Sequence, residues 1–310
     1  MGRDKIPALV WSLLQCPQCG GELEIASASL ICFVCGTEFA DRSGDGGLDL
    51  RLRQPKGFSL SGLLGTELVP SKFSFGPIGR HSEPSVDFQM DRIPWHLSAD
   101  LLSHFPKSNS ESAIALDLGC GTGIHKSVCE FAGYRWVGLD YANPAAPILG
   151  DGHALPFRTE SMDFVLSMAV LEHIQHPQVL GQEVLRVLKP GGVFIGTVAF
   201  MEPFHGSSYY HHSHLGTYNT LASSGFDVLR IGPNPNWSFL RAQLEMGGLF
   251  PKLPRFAGAV FARTIEFINK WWWAVGHRVS GGAIDTSRTM RLLKTTGAID
   301  FVARKPLFSK

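Results

Sequence analysis

Charge is scarce in this chain. Only 18% of its 310 residues are Asp, Glu, Lys or Arg, and 28 cations against 27 anions leave a formal charge of +1. A balance that close carries no general signature of a nucleic-acid binder. Long apolar runs are missing as well: no stretch of about 18 uncharged apolar residues occurs, so no membrane-spanning helix is expected. The N-terminal run IPALVWSLL is short for a signal peptide and lacks a small-residue cleavage site. Leu-Leu-Gln before Cys16 is a poor lipidation box, and Ile6 removes the hydroxyl of a myristoylation signal. A cytoplasmic protein is the remaining expectation. The apolar share of 44% is nevertheless ample for a large core, which sets disorder aside.

Glycine is plentiful, and three of the glycines fall in one run. DLGCGTG, Asp117 to Gly123, directly follows the apolar AIAL of residues 113–116 and precedes a helix-like stretch. An apolar strand ending in Asp-x-Gly-x-Gly-x-Gly lets the backbone turn sharply at Gly119, Gly121 and Gly123, and leaves no Cβ to keep a ligand off the main chain. A pyrophosphate would be repelled by a carboxylate at the mouth of such a turn, so Asp117 argues for a guest carrying a cation. The next strand-like run, YRWVGLD, ends in a second acid, Asp140, at the distance where a carboxylate accepts hydrogen bonds from ribose hydroxyls.

With these residues the chain resembles the class I S-adenosylmethionine-dependent methyltransferases. GDGHALPF (residues 150–157), MDFVLSMAVLEHI (162–174), LRVLKPGG (185–192) and VFIGTV (193–198) match that family in order. The resemblance implies S-adenosylmethionine as cofactor. Its methionine end would lie at Asp117 and the three glycines, its ribose at Asp140 and its adenine at Asp151 and Gly152, with Ser167, Met168 and Leu171 completing the pocket.

Four of the six cysteines form CPQC (Cys16, Cys19) and CFVC (Cys32, Cys35), each pair followed by glycine, with twelve residues between the pairs. Two such knuckles place four thiolates around one zinc ion, and a filled tetrahedron makes the ion structural. The alternatives are a disulfide pair or knuckles that have lost their metal. A piece of this size buries little core, so ligation would largely stabilise it. The segment is similar to zinc ribbons that precede methyltransferase cores, some of which modify ribosomal RNA. That similarity makes an RNA methyltransferase guided by the ribbon the second functional reading. Residues 1–50 carry 3 cations against 7 anions, however, where an RNA-binding ribbon would be basic.

The periodicity predicts alternating elements: strands over 113–118, 134–139, about 147–150, 163–168 and 193–199, with helices over 123–131 and 177–188. This is α/β, a doubly wound, Rossmann-like seven-stranded methyltransferase sheet with its ligand sites at the carboxyl ends of the strands. Residues 1–50 form the ribbon module, 51–110 a connector with a leading helix over 95–105, and 111–310 the catalytic domain. Only ten residues separate Asp140 from Asp151, too few for the usual crossover helix, which leaves that edge exposed. A helix over 214–226 and strands over 226–232 and 297–305 complete the domain, with 233–296 a helical insertion or lid.

Within that insertion, Ala257, Phe261, Ile265, Ile268, Trp272, Val275 and Val279 recur at helical spacing. Residues 233–310 carry 12 cations against 4 anions. The helix over 256–279 is read first as a lid packed on the core or on a partner subunit. The competing reading is a membrane-interface helix, or one that grips a lipid-linked anionic substrate.

Methyl transfer is an in-line displacement, so a base matters only for a poorly acidic nucleophile. His173 after the fourth strand is one candidate, and His205 and His211, in the His- and Tyr-rich segment after the fifth strand, are others. The leading expectation is methylation of a small-molecule, glycan or lipid-linked acceptor at oxygen. A non-enzymatic cofactor- or partner-binding module is the third reading.

Overall fold

The computed structural model describes residues 5–26, 29–42, 47–60, 73–204, 206–279 and 288–307. The strands are β1 (Leu23–Ile25), β2 (Ser29–Cys32), β3 (Glu38–Arg42), β4 (Gly47–Leu50), β5 (Ile114–Leu118), β6 (Arg135–Asp140), β7 (Ile148–Gly150), β8 (Met162–Met168), β9 (Leu188–Ala199), β10 (Asp227–Pro233) and β11 (Ala298–Arg304). The helices are α1 (Ala8–Trp11), α2 (Ala99–Leu102), α3 (Lys126–Phe131), α4 (Pro177–Val187), α5 (His214–Ser223), α6 (Phe239–Glu245), α7 (Arg255–Val279) and α8 (Arg288–Thr295).

One sheet runs through the molecule in the order β1-β2-β3-β4-β7-β6-β5-β8-β9-β11-β10. The segment β7-β6-β5-β8-β9 is parallel, and β11 enters antiparallel between β9 and β10. Every residue of β5 is buried, because the two faces are both covered and side chains alternate between them. Ile114, Leu116 and Leu118 join the core with Leu180, Val184 and Phe194, while Ala113 and Ala115 join Val128, Phe105 and Phe164 on the other face.

Three expectations change here. The connector yields only the four-residue α2, opened by Ser98, whose side chain accepts the Leu101 N–H, and residues 73–98 otherwise form no helix or strand. Residues 141–147 form bends and turns, as their two prolines require, and lead directly into β7, but the sheet edge beside them is not exposed. Strand β4 pairs parallel with β7, Leu48 opposite Ile148, and the Arg42 guanidinium bonds the carbonyls of Pro144 and Ala146. The cysteine-bearing segment therefore extends the sheet of the main domain. Leu14 bridges to Phe157, and Val10 and Leu14 enter the main core.

The third change concerns α7. Its inward positions are the small or polar ones: Gly258 and Ala262 are buried and Glu266 is half-buried, accepting the Ser238 hydroxyl at the start of α6. Phe261, Ile265, Ile268, Trp272 and Val279, members of the apolar stripe, are exposed, so of the readings offered the one that packs this stripe on the chain's own core does not hold. Close approach to α6 selects the small side chains and turns the aromatic ones outward.

Candidate functional site

The turn after β5 is built as the glycine spacing demands. Gly119, Gly121 and Gly123 have φ of 71°, 53° and 80°, a region where only glycine is unstrained. A Cβ at Gly119 would run into Val170, whereas one at Gly121 meets nothing nearer than Asn143. The neighbouring turn is tied to it by Asp140. Its Oδ2 accepts the Gly121 N–H at 3.0 Å and its Oδ1 the N–H groups of Ala142 and Asn143 at 2.9 Å.

Two cavities meet at this turn. One, of about 470 Å³, is lined by Asp140, Asp151, Gly152, His153, His173 and Tyr209. The other, of about 560 Å³, is lined by Gly121, His125, Met168, His96, Trp95 and Trp237. Gly119 and Ala169 border both. Ala169 has φ of 56°, a strained conformation for an alanine, and its N–H reaches the Thr197 carbonyl at 3.0 Å.

In the first cavity Asp151 Oδ1 accepts from both the backbone N–H and the ring Nδ1 of His153, at 2.9 and 2.7 Å. Burial alone would raise this carboxyl, but the bonds from His153 outweigh it and hold it below the ordinary range. His153 Nε2 accepts the His176 N–H at 3.1 Å, which fixes the proton on Nδ1.

Asp117 does something the sequence did not suggest. It is fully buried and lines neither cavity; Oδ2 accepts the Trp136 indole N–H at 3.0 Å and Oδ1 lies 3.1 Å from His125 Nδ1. His125 Nε2 in turn meets His96 Nε2 at 2.6 Å on the wall of the second cavity. Burial, with His125 alongside, lowers His96 to about 4. Gly123 packs against Trp136, and Ser167 and Leu171 are buried in the core, so none of these three lines a cavity.

The second cavity is roofed by residues without any sequence motif. Trp95 and Trp237 pack with ring centroids 4.9 Å apart and planes tilted by 40°, and the Arg241 guanidinium lies 5.1 Å above the Trp95 ring. Glu202 accepts the Trp237 indole N–H at 2.7 Å, and Asn236 donates to the Trp95 carbonyl at 2.8 Å. Connector and insertion thus close over the cavity together. Of the histidines expected there, His173 lies in the first cavity, His211 is exposed and borders neither, and His205 lies outside the described residues. Beneath the loop, Glu172 is buried with no hydrogen bond to either carboxyl oxygen, and burial pushes it up to about 8.

The four cysteine sulfurs lie within 4.8 Å of one another. Cys19 and Cys32 are 3.4 Å apart and Cys16 and Cys35 3.7 Å, close to the edge of about 3.8 Å for a tetrahedron with zinc–sulfur bonds of about 2.3 Å. A hydrogen bond with Thr37 lowers the Cys35 thiol to about 6, whereas burial pushes Cys16 up to about 12 and raises Cys19. The donor set fits zinc.

Residues 116–196 match the sequence model of a methyltransferase domain. An uncharacterized methyltransferase of Mycolicibacterium gilvum is 30% identical over 185 residues, 54% of this chain and 71% of that protein. An uncharacterized methyltransferase of Mycobacterium leprae is 37% identical over 107 residues, 30% of this chain and 40% of that protein, so the match spans less than half of this relative. A chain from the complex between the Haloferax volcanii Trm112 methyltransferase activator and a methyltransferase is 20% identical with a TM-score of 0.44, covering 70% of this chain and 91% of that one. With the Mycolicibacterium relative covered over more than two thirds of its length, and with the glycine turn, the acids and the sheet order in place, the chain belongs to the class I S-adenosylmethionine-dependent methyltransferases.

Proposed function

We propose that the protein methylates an acceptor held in the cavity under Trp95 and Trp237, at an oxygen, with S-adenosylmethionine as donor. The observation that carries this reading is the pair of cavities meeting at Gly119 and Ala169, one with two carboxylates and the other mainly apolar. Asp140 would hold the ribose, Asp151 and Gly152 the adenine, and the backbone of the glycine turn the methionine end. Bound there, the cofactor supplies a methyl group on a sulfonium, ready for direct displacement. The residues around it hold the acceptor, exclude water and take its proton.

His96 is the base in this reading. It borders the acceptor cavity and stays neutral at physiological pH. Asp117 acts through His125: with Nδ1–H of His125 donated to the carboxylate, Nε2 is left to accept Nε2–H of His96, which frees His96 Nδ1 to take a proton. The Trp95–Trp237 roof favours an acceptor with an apolar body, such as a lipid-linked or other small hydroxyl compound. The cysteine cluster takes a structural zinc ion and steadies β4 against β7.

The test has two parts. Calorimetry with S-adenosylmethionine or its demethylated product should show one site per chain, and its absence would end the methyltransferase reading. A labelled methyl donor incubated with enzyme and cell extract, then fractionated, should place label in lipid, glycan or small molecules; label confined to RNA would replace this acceptor class.

A further inference from the structure

Helix α7 leaves its apolar face without cover among the described residues. Phe256 is 76% exposed, Trp272 73%, Trp271 65% and Phe267 62%, with Val260 and Ile268 also exposed. At 100° per residue these side chains fall on one broad arc, and Arg263 and Lys270, one above the other at a spacing of seven residues, flank it. The surface continues into the turn before the helix, where the Phe250 ring meets Phe261 at 5.6 Å and Leu249 and Leu253 are exposed. It reaches the loop after β9 as well, since Gly248 adjoins Pro203, and the next residue, Phe204, is 90% exposed.

We infer that this face docks on the surface of an anionic lipid bilayer, with α7 lying in the plane of the interface. No helix among the described residues is long and apolar enough to cross a membrane, so the helix cannot be a span. Its 25 residues instead carry an apolar arc with cations at its border, the pattern that seats aromatic and aliphatic side chains among acyl chains while Lys and Arg meet lipid phosphates. Charge argues for this occupant over the others. The only acid in α7, Glu266, is turned inward to Ser238, and residues 233–310 hold 12 cations against 4 anions. Among the described residues no ion pair engages Arg263, Lys270 or Arg278. A second copy of the chain meeting this face through a two-fold axis would bring the same cations together with no outward acid on the helix to answer them.

Helix α7 is separated from the acceptor cavity by α6 alone, because Met246, which follows α6, lines that cavity and α6 packs on the inward face of α7. On the methyl-transfer reading above, docking would hold the acceptor cavity within one helix layer of the bilayer.

Flotation of the full chain with vesicles tests the docking. At low salt the protein should rise with vesicles containing about one third phosphatidylglycerol, stay behind with pure phosphatidylcholine, and be released by high salt. Trp271→Ser with Trp272→Ser, and separately Arg263→Glu with Lys270→Glu, should each weaken partition by about tenfold or more. Both should keep the parent's affinity for S-adenosylmethionine by calorimetry, which shows that they are folded. The proposal is overturned by no flotation on anionic vesicles at low salt, by undiminished flotation of both variants, or by a dimer in sedimentation that the tryptophan variant dissolves. Failure of the parent to bind S-adenosylmethionine would sink the methyl-transfer reading and leave the flotation result standing.

Discussion

His96 and His125 meet through their Nε2 atoms at 2.6 Å, and Asp117 lies 3.1 Å from the far nitrogen of His125. A buried carboxylate is thereby connected to a cavity wall through two imidazoles, although the three residues are scattered over a connector, a strand and the start of a helix. Replacing His96 by alanine should lower methyl transfer by about a hundredfold while leaving cofactor affinity within about twofold. His96 works as a base only when neutral, so activity should be lost as pH falls through about 4. A decline that keeps its midpoint in the residual activity of the His96→Ala protein would take the base role from His96.

Asp140 binds three backbone N–H groups, on the glycine turn and on its own. Asp140→Ala leaves those donors to solvent and removes the ribose acceptor, so affinity for S-adenosylmethionine should drop by about thirtyfold or more, corresponding to roughly 2 kcal/mol. Calorimetry reads this directly, and an unchanged dissociation constant would take the ribose role from this residue.

Gly119→Ala combines a φ of 71° with a collision against Val170. Cofactor binding should be abolished and stability lowered by about 1–3 kcal/mol. Adding Val170→Ala removes the collision but not the backbone strain, so rescue should be partial. Full rescue would mean that sterics alone impose glycine here.

Glu172 is protonated in the folded protein up to about pH 8, whereas the unfolded chain loses that proton near 4.5. Between those values the folded state binds the extra proton, so this group's contribution is complete at low pH and is lost as pH rises through 8. Glu172→Gln should therefore flatten the decline in melting temperature between pH 5 and 8. A parallel decline in both proteins would show that Glu172 is not the group responsible.

The purified chain should contain one zinc ion. Stripping it with a chelator should speed hydrogen exchange first in β1 to β4, then at β7, and should weaken cofactor binding because Asp151 directly follows β7. Unchanged exchange at residues 147–150 would show that metal and cofactor sites are uncoupled.

Sequence reading located what lies within one local pattern. Gly119, Asp140 and Asp151 sit at strand ends that periodicity identifies, and the four cysteines have their own spacing. Trp95, His96 and Trp237 carried no signal because they converge from segments some 140 residues apart, and each alone looks like an ordinary surface or packing residue. Asp117 was placed correctly on its strand, but its partners Trp136 and His125 come from the next strand and helix, which no one-dimensional pattern specifies. The apolar stripe of α7 was legible but the side it faces was not, because only the approach of α6 to the small residues of the opposite face decides that. The pairing of β4 with β7 rests on four residues, Gly47–Leu50, too short to announce a partner.

That pairing governs what happens when the chain is cut. The parallel ladder from Leu48 to Leu50 shields the outer backbone groups of Ile148 to Gly150. Proteolysis or truncation at the connector would uncover a row of unanswered amides bordered by apolar side chains, a template for stacking one molecule onto the next. The cysteine-bearing arm thus covers the edge of the parallel strands that a shortened chain would offer to its neighbours.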